Sequence, residues 1–311
     1  MHRYINGEYA YTLLNTIALY ILLISSLFYY KSKGEVMGLW SKYAIRLASR
    51  FSIAIGQIVK LVLSLVELIL FALILYLCTF TNMAFGNLVG TGGNYFSTLF
   101  LAPIAWSLLS LILGANPLEQ IDIATMFLPV YLFFVKLACF FNGCCWGIPW
   151  QDGLYNHHPY HPGRQVPVQA IECFWCLVIF AFLLWYRQKA KKGTMYPVYM
   201  MLYSATRFCS EFLRHEENVL WIFKTYHLLC IAGFLIGLAF YFFVAKFGNK
   251  MFTFIDKKHQ KIDAVIAATE GGHKSKFDTM AIEKARIEEK KRKQKEREKK
   301  NKQMYSHSRK L

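Results

Sequence analysis

One stretch of the sequence decides the fold class: Val168–Trp185, which reads VQAIECFWCLVIFAFLLW and contains a single charged residue, Glu172. An α-helix needs about 20 mainly apolar residues to cross the hydrocarbon core of a membrane. A run of this length and composition therefore predicts a transmembrane helix. Six further runs of similar character predict the other crossings: Tyr9–Tyr30, Ile53–Thr79, Phe96–Leu113, Ala124–Trp146, Pro197–Leu213 and Tyr226–Val244.

The composition excludes an ordinary soluble domain. Of the 311 residues, 55% are hydrophobic and only 18% are charged, whereas soluble domains carry about 25% charged residues. The formal net charge is +17, and Lys246–Leu311 holds +11 of it, with 20 Lys and Arg against 9 Asp and Glu. The sequence therefore predicts an all-α polytopic membrane protein. It divides into a seven-span membrane domain, residues 1–247, and a basic tail, residues 248–311, that is helical or disordered.

The distribution of Lys and Arg between the loops predicts the orientation of the spans, because these residues gather in cytoplasmic loops. Basic residues follow the first, fifth and seventh predicted spans, whereas the loop between the second and third spans has none. With seven crossings, this pattern places the N-terminus outside and the C-terminus in the cytoplasm. The tail is expected to be solvated or to touch anionic lipid on the cytoplasmic leaflet.

Cysteines and histidines are numerous, but their spacing predicts neither a metal site nor a disulfide framework. All eight cysteines lie in or at the edge of apolar runs, where a free thiol packs as a small apolar residue. Cys173 and Cys176 stand in mid-span, without the second pair that a structural zinc site needs. His157, His158 and His161 are closely spaced, but nothing nearby completes a ligand set, and an aromatic-rich loop over an entrance is the favoured interpretation.

Two groups of polar residues flank the loop between the fourth and fifth predicted spans in the sequence. The first contains Lys136, Asn142, Gly143 and Gly147 at the end of the fourth span; the second contains Gln169 and Glu172 at the start of the fifth. A Gly–Asn helix end is often only a turn, although its glycines also allow a close approach to the backbone. A glutamate within a span requires a cation or a proton.

A third group lies on the sixth span and supplies such cations. Arg207, Glu211 and Arg214 are spaced i, i+4 and i+7, which forms a single stripe on a helix. This stripe is either an internal ion-pair ladder or a site for an anionic headgroup, since the planar guanidinium suits phosphate oxygens. In the predicted topology all three groups lie on the outer side. Their convergence indicates a site for an amphiphile with an anionic headgroup.

The same three groups resemble a known family. Residues 139–147, which read CFFNGCCWG, the element Pro167-x-Gln169-x-x-Glu172 and the helix Arg207-Phe-x-x-Glu-Phe-x-Arg214 are similar to bacterial prolipoprotein diacylglyceryl transferases in order and spacing. The likeness covers about residues 116–240. It implies a multi-pass enzyme of the bacterial inner membrane, with its active site facing the outer leaflet. Such an enzyme moves the diacylglyceryl group of phosphatidylglycerol onto the lipobox cysteine thiol of a preprolipoprotein and releases glycerol phosphate.

The resemblance also implies roles for individual residues. The expected partners are phosphatidylglycerol or a related anionic phospholipid, preprolipoproteins and membrane lipids, with no nucleic acid, cofactor or metal. The catalytic residues are expected to be Arg207, Lys136, Glu172 and Glu211. The substrate-binding residues are expected to be Asn142, Gly143, Gly147, Gln169, Arg214 and His227.

The chain departs from the family pattern at several positions. Lys136 stands for an arginine, Cys139 for an asparagine, Cys144 for an acidic residue, and Val166, Val168 and Ile171 for histidine, serine and tyrosine. A His/Tyr-Gly-Gly element of the family has no clear counterpart near Gly92, Gly93 and Asn94. These changes keep open a second interpretation, a catalytically silent relative that binds phospholipid or lipoprotein. A transporter is disfavoured because the sequence shows no internal repeat.

Overall fold

The computed structural model describes residues 13, 14, 17, 38–89, 95–156, 162–214, 223–248 and 250–266. Four predicted features lie outside the described residues in whole or in large part. They are most of the first span, the Gly92–Asn94 segment, the three histidines of the 157–161 loop and the tail from residue 267 onward.

The described chain is built mainly of helices, with one small antiparallel pair of strands. Residues 253–266 are also helical. The elements in chain order are α1 (Leu39–Ser49), α2 (Ile53–Val89), α3 (Tyr95–Leu113), α4 (Pro117–Asn142), β1 (Pro149–Asn156), β2 (Gly163–Gln165), α5 (Val168–Tyr186), α6 (Met195–Glu211) and α7 (Thr225–Phe247).

Each predicted span from the second to the seventh coincides with a helix, α2 to α7. Within the described residues, α4, α5 and α7 are long and apolar enough to cross a membrane, and α3 contains a shorter apolar stretch. The 37 residues of α2 correspond to about 55 Å, which exceeds a hydrocarbon core of about 30 Å. The chain is thus a helical membrane protein, while seven crossings and their orientation stay predictions.

The bounds of α4 follow from its caps. Asn116 accepts a hydrogen bond from the amide of Leu118, and Pro117 occupies the first turn, where its missing N–H costs nothing. Gly143 ends the helix in the left-handed conformation, with φ 77°. The amide of Gly143 donates to the carbonyl of Phe140, and the amide of Cys144 donates to that of Cys139, which is the Schellman pattern. The helix therefore runs from 117 to 142 rather than over the predicted 124–146.

The packed interior lies among α3, α4, α5, α6 and α7. Its centre contains Phe96, Leu132, Ile179 and the fully buried Tyr199, whose hydroxyl forms a 2.8 Å hydrogen bond with that of Tyr95. The outward faces of these helices carry large exposed apolar side chains, among them Phe174, Trp185, Leu235 and Phe242. An apolar surface on this scale requires an apolar surrounding, as expected of a membrane domain.

The all-helical prediction misses one element, the strand pair between α4 and α5. Strand β1 pairs antiparallel with β2, with Tyr155 opposite Arg164 and an irregularity between Pro149 and Leu154. The backbone approach is close at Gly153, where a Cβ atom would lie 2.4 Å from the carbonyl oxygen of Gln165. The pair converts the loop after α4 into an ordered connection that begins beside the site described below.

The described chain divides into two compact units, the first formed by Met1–Ser41 and Leu61–His259. In this unit the residues that follow α7 pack against the helices. Asp256 accepts a 2.8 Å hydrogen bond from Asn116 Nδ2 and pairs with Lys192 Nζ at 3.1 Å. Burial lowers the pKa of Lys192, but the ion pairs with Glu119 and Asp256 outweigh it and raise that pKa above its ordinary value. These contacts tie the residues after α7 to the loops that begin α4 and α6.

The second unit contains Lys42–Lys60 and the chain from Gln260 onward. Lys42 Nζ and Asp263 Oδ2 form an ion pair of 2.7 Å within it. Gly56 sits against Ser49, where an added Cβ would meet the hydroxyl oxygen of Ser49 at 2.3 Å.

Candidate functional site

The site is built around Glu172, which lies near the start of α5 and is buried. Its Oε1 accepts hydrogen bonds from Arg207 Nη1 at 2.5 Å and from Arg214 Nη2 at 3.0 Å. Its Oε2 lies 2.9 Å from both Arg214 Nη2 and Lys136 Nζ. A buried carboxylate is stable only when it is paired, and here three cations on two other segments of the chain pair with it.

The stripe on α6 and just beyond it continues this network. Arg207 Nη2 lies 2.7 Å from Glu211 Oε2, one helical turn away, and Arg214 Nε lies 3.7 Å from the same oxygen. The Arg207 guanidinium also lies 5.1 Å from the ring centre of Tyr226 on α7, a cation–π distance. Glu211 is fully buried. The two arginines are therefore held in fixed positions by carboxylates on both sides.

Backbone contacts fix the position of the loop after α4 relative to the end of α6. Gly147 and Arg214 form an isolated antiparallel bridge, and the amide of Ile148 donates to the carbonyl of Leu213 at 2.8 Å. A Cβ at position 147 would lie 2.4 Å from the Leu213 carbonyl oxygen, so only glycine fits. The fully buried Gln169 donates through Nε2 to the carbonyl of Cys144.

Lys224, at the start of α7, also belongs to this network. It is not among the site residues predicted from the sequence. Its Nζ donates to the carbonyl of Glu211 at 2.9 Å and to that of Arg214. Its backbone amide donates to His227 Nδ1 at 3.0 Å. A lone lysine directly before an apolar span is the sequence signal for such a residue, although it equally suits a membrane-interface anchor.

His227 is placed away from Glu172. The imidazole is fully buried against the rings of Phe208 and Phe212, with ring centres 4.8 and 4.3 Å away. Among the described residues, its Nε2 has no hydrogen-bond partner. Its contacts are those of a packed residue that caps the start of α7.

The turn after α4 brings three thiols together. Cys139 is buried in the last turns of the helix, Cys144 is half-buried and Cys145 is exposed. Their three Sγ atoms all lie within 4.8 Å of one another. Asn142 lies in the same turn, and its buried Oδ1 has no hydrogen-bond partner among the described residues. From the sequence these cysteines are predicted to pack as small apolar residues, because spacings of five and one do not by themselves form a ligand pattern.

A small cavity opens next to the paired charges. Its polar wall contains Lys136, Glu172, Arg207 and Ser210, and its apolar wall includes Trp175. Glu211, Arg214 and His227 are not among the residues that line it. Three of the predicted site residues therefore line this cavity, namely Lys136, Glu172 and Arg207. The other predicted site residues are not part of its lining.

Within the described part of the chain, the charges of the site do not cancel. Lys136, Arg207, Arg214 and Lys224 stand there with two described carboxylates, Glu172 and Glu211, which leaves two more positive than negative charges among these residues. Such an excess favours an anion, and guanidinium groups offer paired donors to phosphate or carboxylate oxygens. The fold and the site together define a helical membrane protein with a buried cavity beside a cluster of cations.

Comparison with known proteins identifies the family to which this membrane protein belongs. A family model described as prolipoprotein diacylglyceryl transferase matches residues 36–243, more than half of the chain. The chain therefore belongs to the prolipoprotein diacylglyceryl transferase family. The match includes the cavity, the paired charges and the turn with the three cysteines.

Individual relatives are similar at modest identity. A phosphatidylglycerol–prolipoprotein diacylglyceryl transferase of Clostridium tetani is 28% identical over 107 residues, which are 32% of this chain and 43% of the relative. The second such enzyme of Clostridium perfringens is 30% identical over 135 residues, 42% of this chain and 53% of the relative. The enzyme of Sinorhizobium medicae is 34% identical over 109 residues, which are 31% of this chain and 36% of the relative. The chain thus spans about half the length, or less, of these relatives.

Proposed function

We propose that the protein transfers the diacylglyceryl group of phosphatidylglycerol to the lipobox cysteine thiol of preprolipoproteins in the bacterial inner membrane, with the site open to the outer leaflet. The observation that carries this proposal is the cationic wall of the cavity, in a chain that belongs to this family. The reaction needs a site for a phosphate beside an apolar environment, and the cavity offers both.

The lining of the cavity suits the reacting part of the lipid. Its polar wall presents cations to a phosphate, and the cavity is too small for two acyl chains. The chains would remain in the bilayer, next to the apolar wall that contains Leu132, Trp175 and Ile179.

Bond changes in this reaction assign roles to the cations. The acceptor thiolate attacks a glyceryl carbon, the carbon–oxygen bond to phosphate breaks, and glycerol phosphate leaves with one more negative charge. Arg207 and Lys136 line the cavity, where they stabilise that developing charge without reorganisation. Arg214, which donates to Glu172 from outside the lining, and Gln169, which holds the turn after α4, are positioning residues.

The carboxylates have separate roles. Glu172 lines the cavity and holds all three cations, whereas Glu211 is fully buried behind Arg207. The phosphate of a bound lipid would share these cations with Glu172 and so weaken their stabilisation of its carboxylate. Glu172 is then the better acceptor for the proton of the thiol before the thiolate attacks. Glu211 acts only by holding Arg207 and Arg214 in place.

The decisive experiment is a transfer assay with the purified full-length chain, phosphatidylglycerol vesicles and a peptide that carries a lipobox cysteine. We expect a thioether product by mass spectrometry, with a rate reduced about 100- to 1,000-fold in Arg207→Ala, the usual effect of removing one donor to a developing anion. Arg187→Ala, at the opposite end of α5, is the control and should be unchanged. Phosphatidylglycerol binding without product from folded protein would favour the silent lipid-binding relative instead.

A further inference from the structure

The turn after α4 assembles a cluster of thiols that neither the cavity chemistry nor the ion pairs use. We propose that Cys139, Cys144 and Cys145 bind one thiophilic d¹⁰ cation, for which Zn²⁺ is the test ion, and that its fourth coordination position receives the acceptor thiol. The second half of this proposal rests on the proposed function. The first half, metal binding, does not.

Local backbone geometry explains why the three thiols meet. The Schellman turn at Gly143 reverses the chain, and the amide of Cys144 bonds back to the carbonyl of Cys139. Cys145 then adopts a left-handed conformation, with φ 63°, which is uncommon for a residue with a side chain. Residues five and six positions after Cys139 are thereby returned to the last turns of the helix. A non-glycine residue in this conformation suggests that the placement of its thiol matters.

The spacing of the sulfur atoms fits a single ion. A Zn–S bond is about 2.3 Å, which sets the S–S separation in a tetrahedral site at about 3.8 Å. The three Sγ atoms lie within 4.8 Å of one another, so rotation of the side chains by small amounts would close the site. Three protein ligands with an open fourth position are typical of zinc that binds a water or substrate, whereas structural zinc has four.

The charges next to the turn complement such a centre. Arg214 lies beside Cys145, and it belongs to the cluster of cations around Glu172 and Glu211. A divalent cation with three thiolates carries −1, and a fourth thiolate makes it −2, so the centre and the cluster complement each other. The partial negative charge of the α4 C-terminus also favours a cation there.

The consequence for the reaction is that the acceptor thiol would bind as a thiolate. On binding, its proton would go to water at the exposed turn, and the sulfur would keep its electron pair; that pair would then form the bond to the glyceryl carbon while the phosphate leaves with the electrons of the carbon–oxygen bond. No oxidant or reductant is consumed. Cys145 is exposed, which gives a substrate thiol access to the open position.

Zinc binding by the full-length chain in detergent tests the site without any activity measurement. We expect one equivalent of Zn²⁺ to remain after dialysis, and bound Co²⁺ to show thiolate-to-cobalt charge transfer. Cys145→Ser and Cys144→Ser should lose this metal, whereas Cys209→Ser, an equally exposed cysteine on α6, should retain it. Absence of stoichiometric metal from folded, fully reduced protein, or a Cys139–Cys145 or Cys139–Cys144 disulfide under reducing conditions, would overturn the proposal.

A second measurement separates this proposal from the proposed function. Addition of the lipobox-type peptide to the Co²⁺ form should shift the charge-transfer band, and the same peptide with serine in place of cysteine should not. Transfer at an unchanged rate in Cys145→Ser would overturn the binding of the acceptor thiol by the metal during the reaction and leave the proposed transferase function intact. Metal binding and thiol ligation without any transfer would support the metal site and overturn the proposed transferase function.

Discussion

At the scale of single residues, the pairing of Glu172 was accessible from the sequence. A glutamate within an apolar span needs a cation, and the stripe on the sixth span was the nearest source. The structure places Arg207 and Arg214 against that carboxylate, with Lys136 as a third partner. The position of the thiols could not be predicted, because it depends on left-handed conformations at Gly143 and Cys145 that residue spacing does not show.

Glu172→Gln should lower the stability of the folded protein by more than the loss of one ion pair would. The amide leaves Lys136, Arg207 and Arg214 buried without their shared counter-ion, and breaking a buried pair in this way typically costs about 3–5 kcal/mol. We expect a clear fall in the midpoint of thermal unfolding in detergent and loss of transfer.

The control for this variant is Glu119→Gln, whose partly exposed carboxylate pairs with Lys192 at 2.5 Å. An exposed pair contributes about 1 kcal/mol or less, so its unfolding midpoint should move little. Equal effects of the two substitutions would show that Glu172 is not the centre of the network.

At the scale of elements, the helices were predictable and their ends were only partly so. The predicted fourth span began at Ala124 because Glu119 and Asp122 reduce the apolar character of the first turns. The Asn116–Pro117 cap nevertheless starts the helix at 117. The strand pair was missed because its residues alternate weakly and carry no strong hairpin signal. The backbone contacts of Gly147 and Ile148, just before β1, join the loop to the end of α6.

Gly147→Ala tests whether that junction positions the site. The added methyl group would meet the carbonyl oxygen of Leu213 at 2.4 Å, so the bridge to Arg214 must open. We expect transfer to fall at least about tenfold, since displacement of a catalytic group by about 1 Å can cost a hundredfold.

A comparison with Ile148→Ala makes this experiment specific. Ile148 is exposed, and it contacts Leu213 through its backbone amide, so removing its side chain should leave the bridge and the rate intact. Should Gly147→Ala retain full activity in folded protein, the bridge would not position the site.

At the scale of the whole molecule, the orientation of the helices links the basic loops to the place of the reaction. The predicted arrangement puts the C-terminus in the cytoplasm and the cavity near the outer leaflet. A cytoplasm-dependent reporter fused after Lys246 should therefore be active, and a reporter that requires export should be silent at the same position. The opposite result would place the cavity on the cytoplasmic leaflet, away from exported preprolipoproteins.

The apolar wall of the cavity has a consequence for how substrate supply should be measured. Leu132, Trp175 and Ile179 form that wall, so a lipid would enter sideways by two-dimensional diffusion within the bilayer rather than from water. The rate should then follow the mole fraction of phosphatidylglycerol in the membrane and not its bulk concentration. Dilution of the vesicles with buffer should leave turnover nearly unchanged, whereas dilution of the anionic lipid with a neutral one should slow it in proportion.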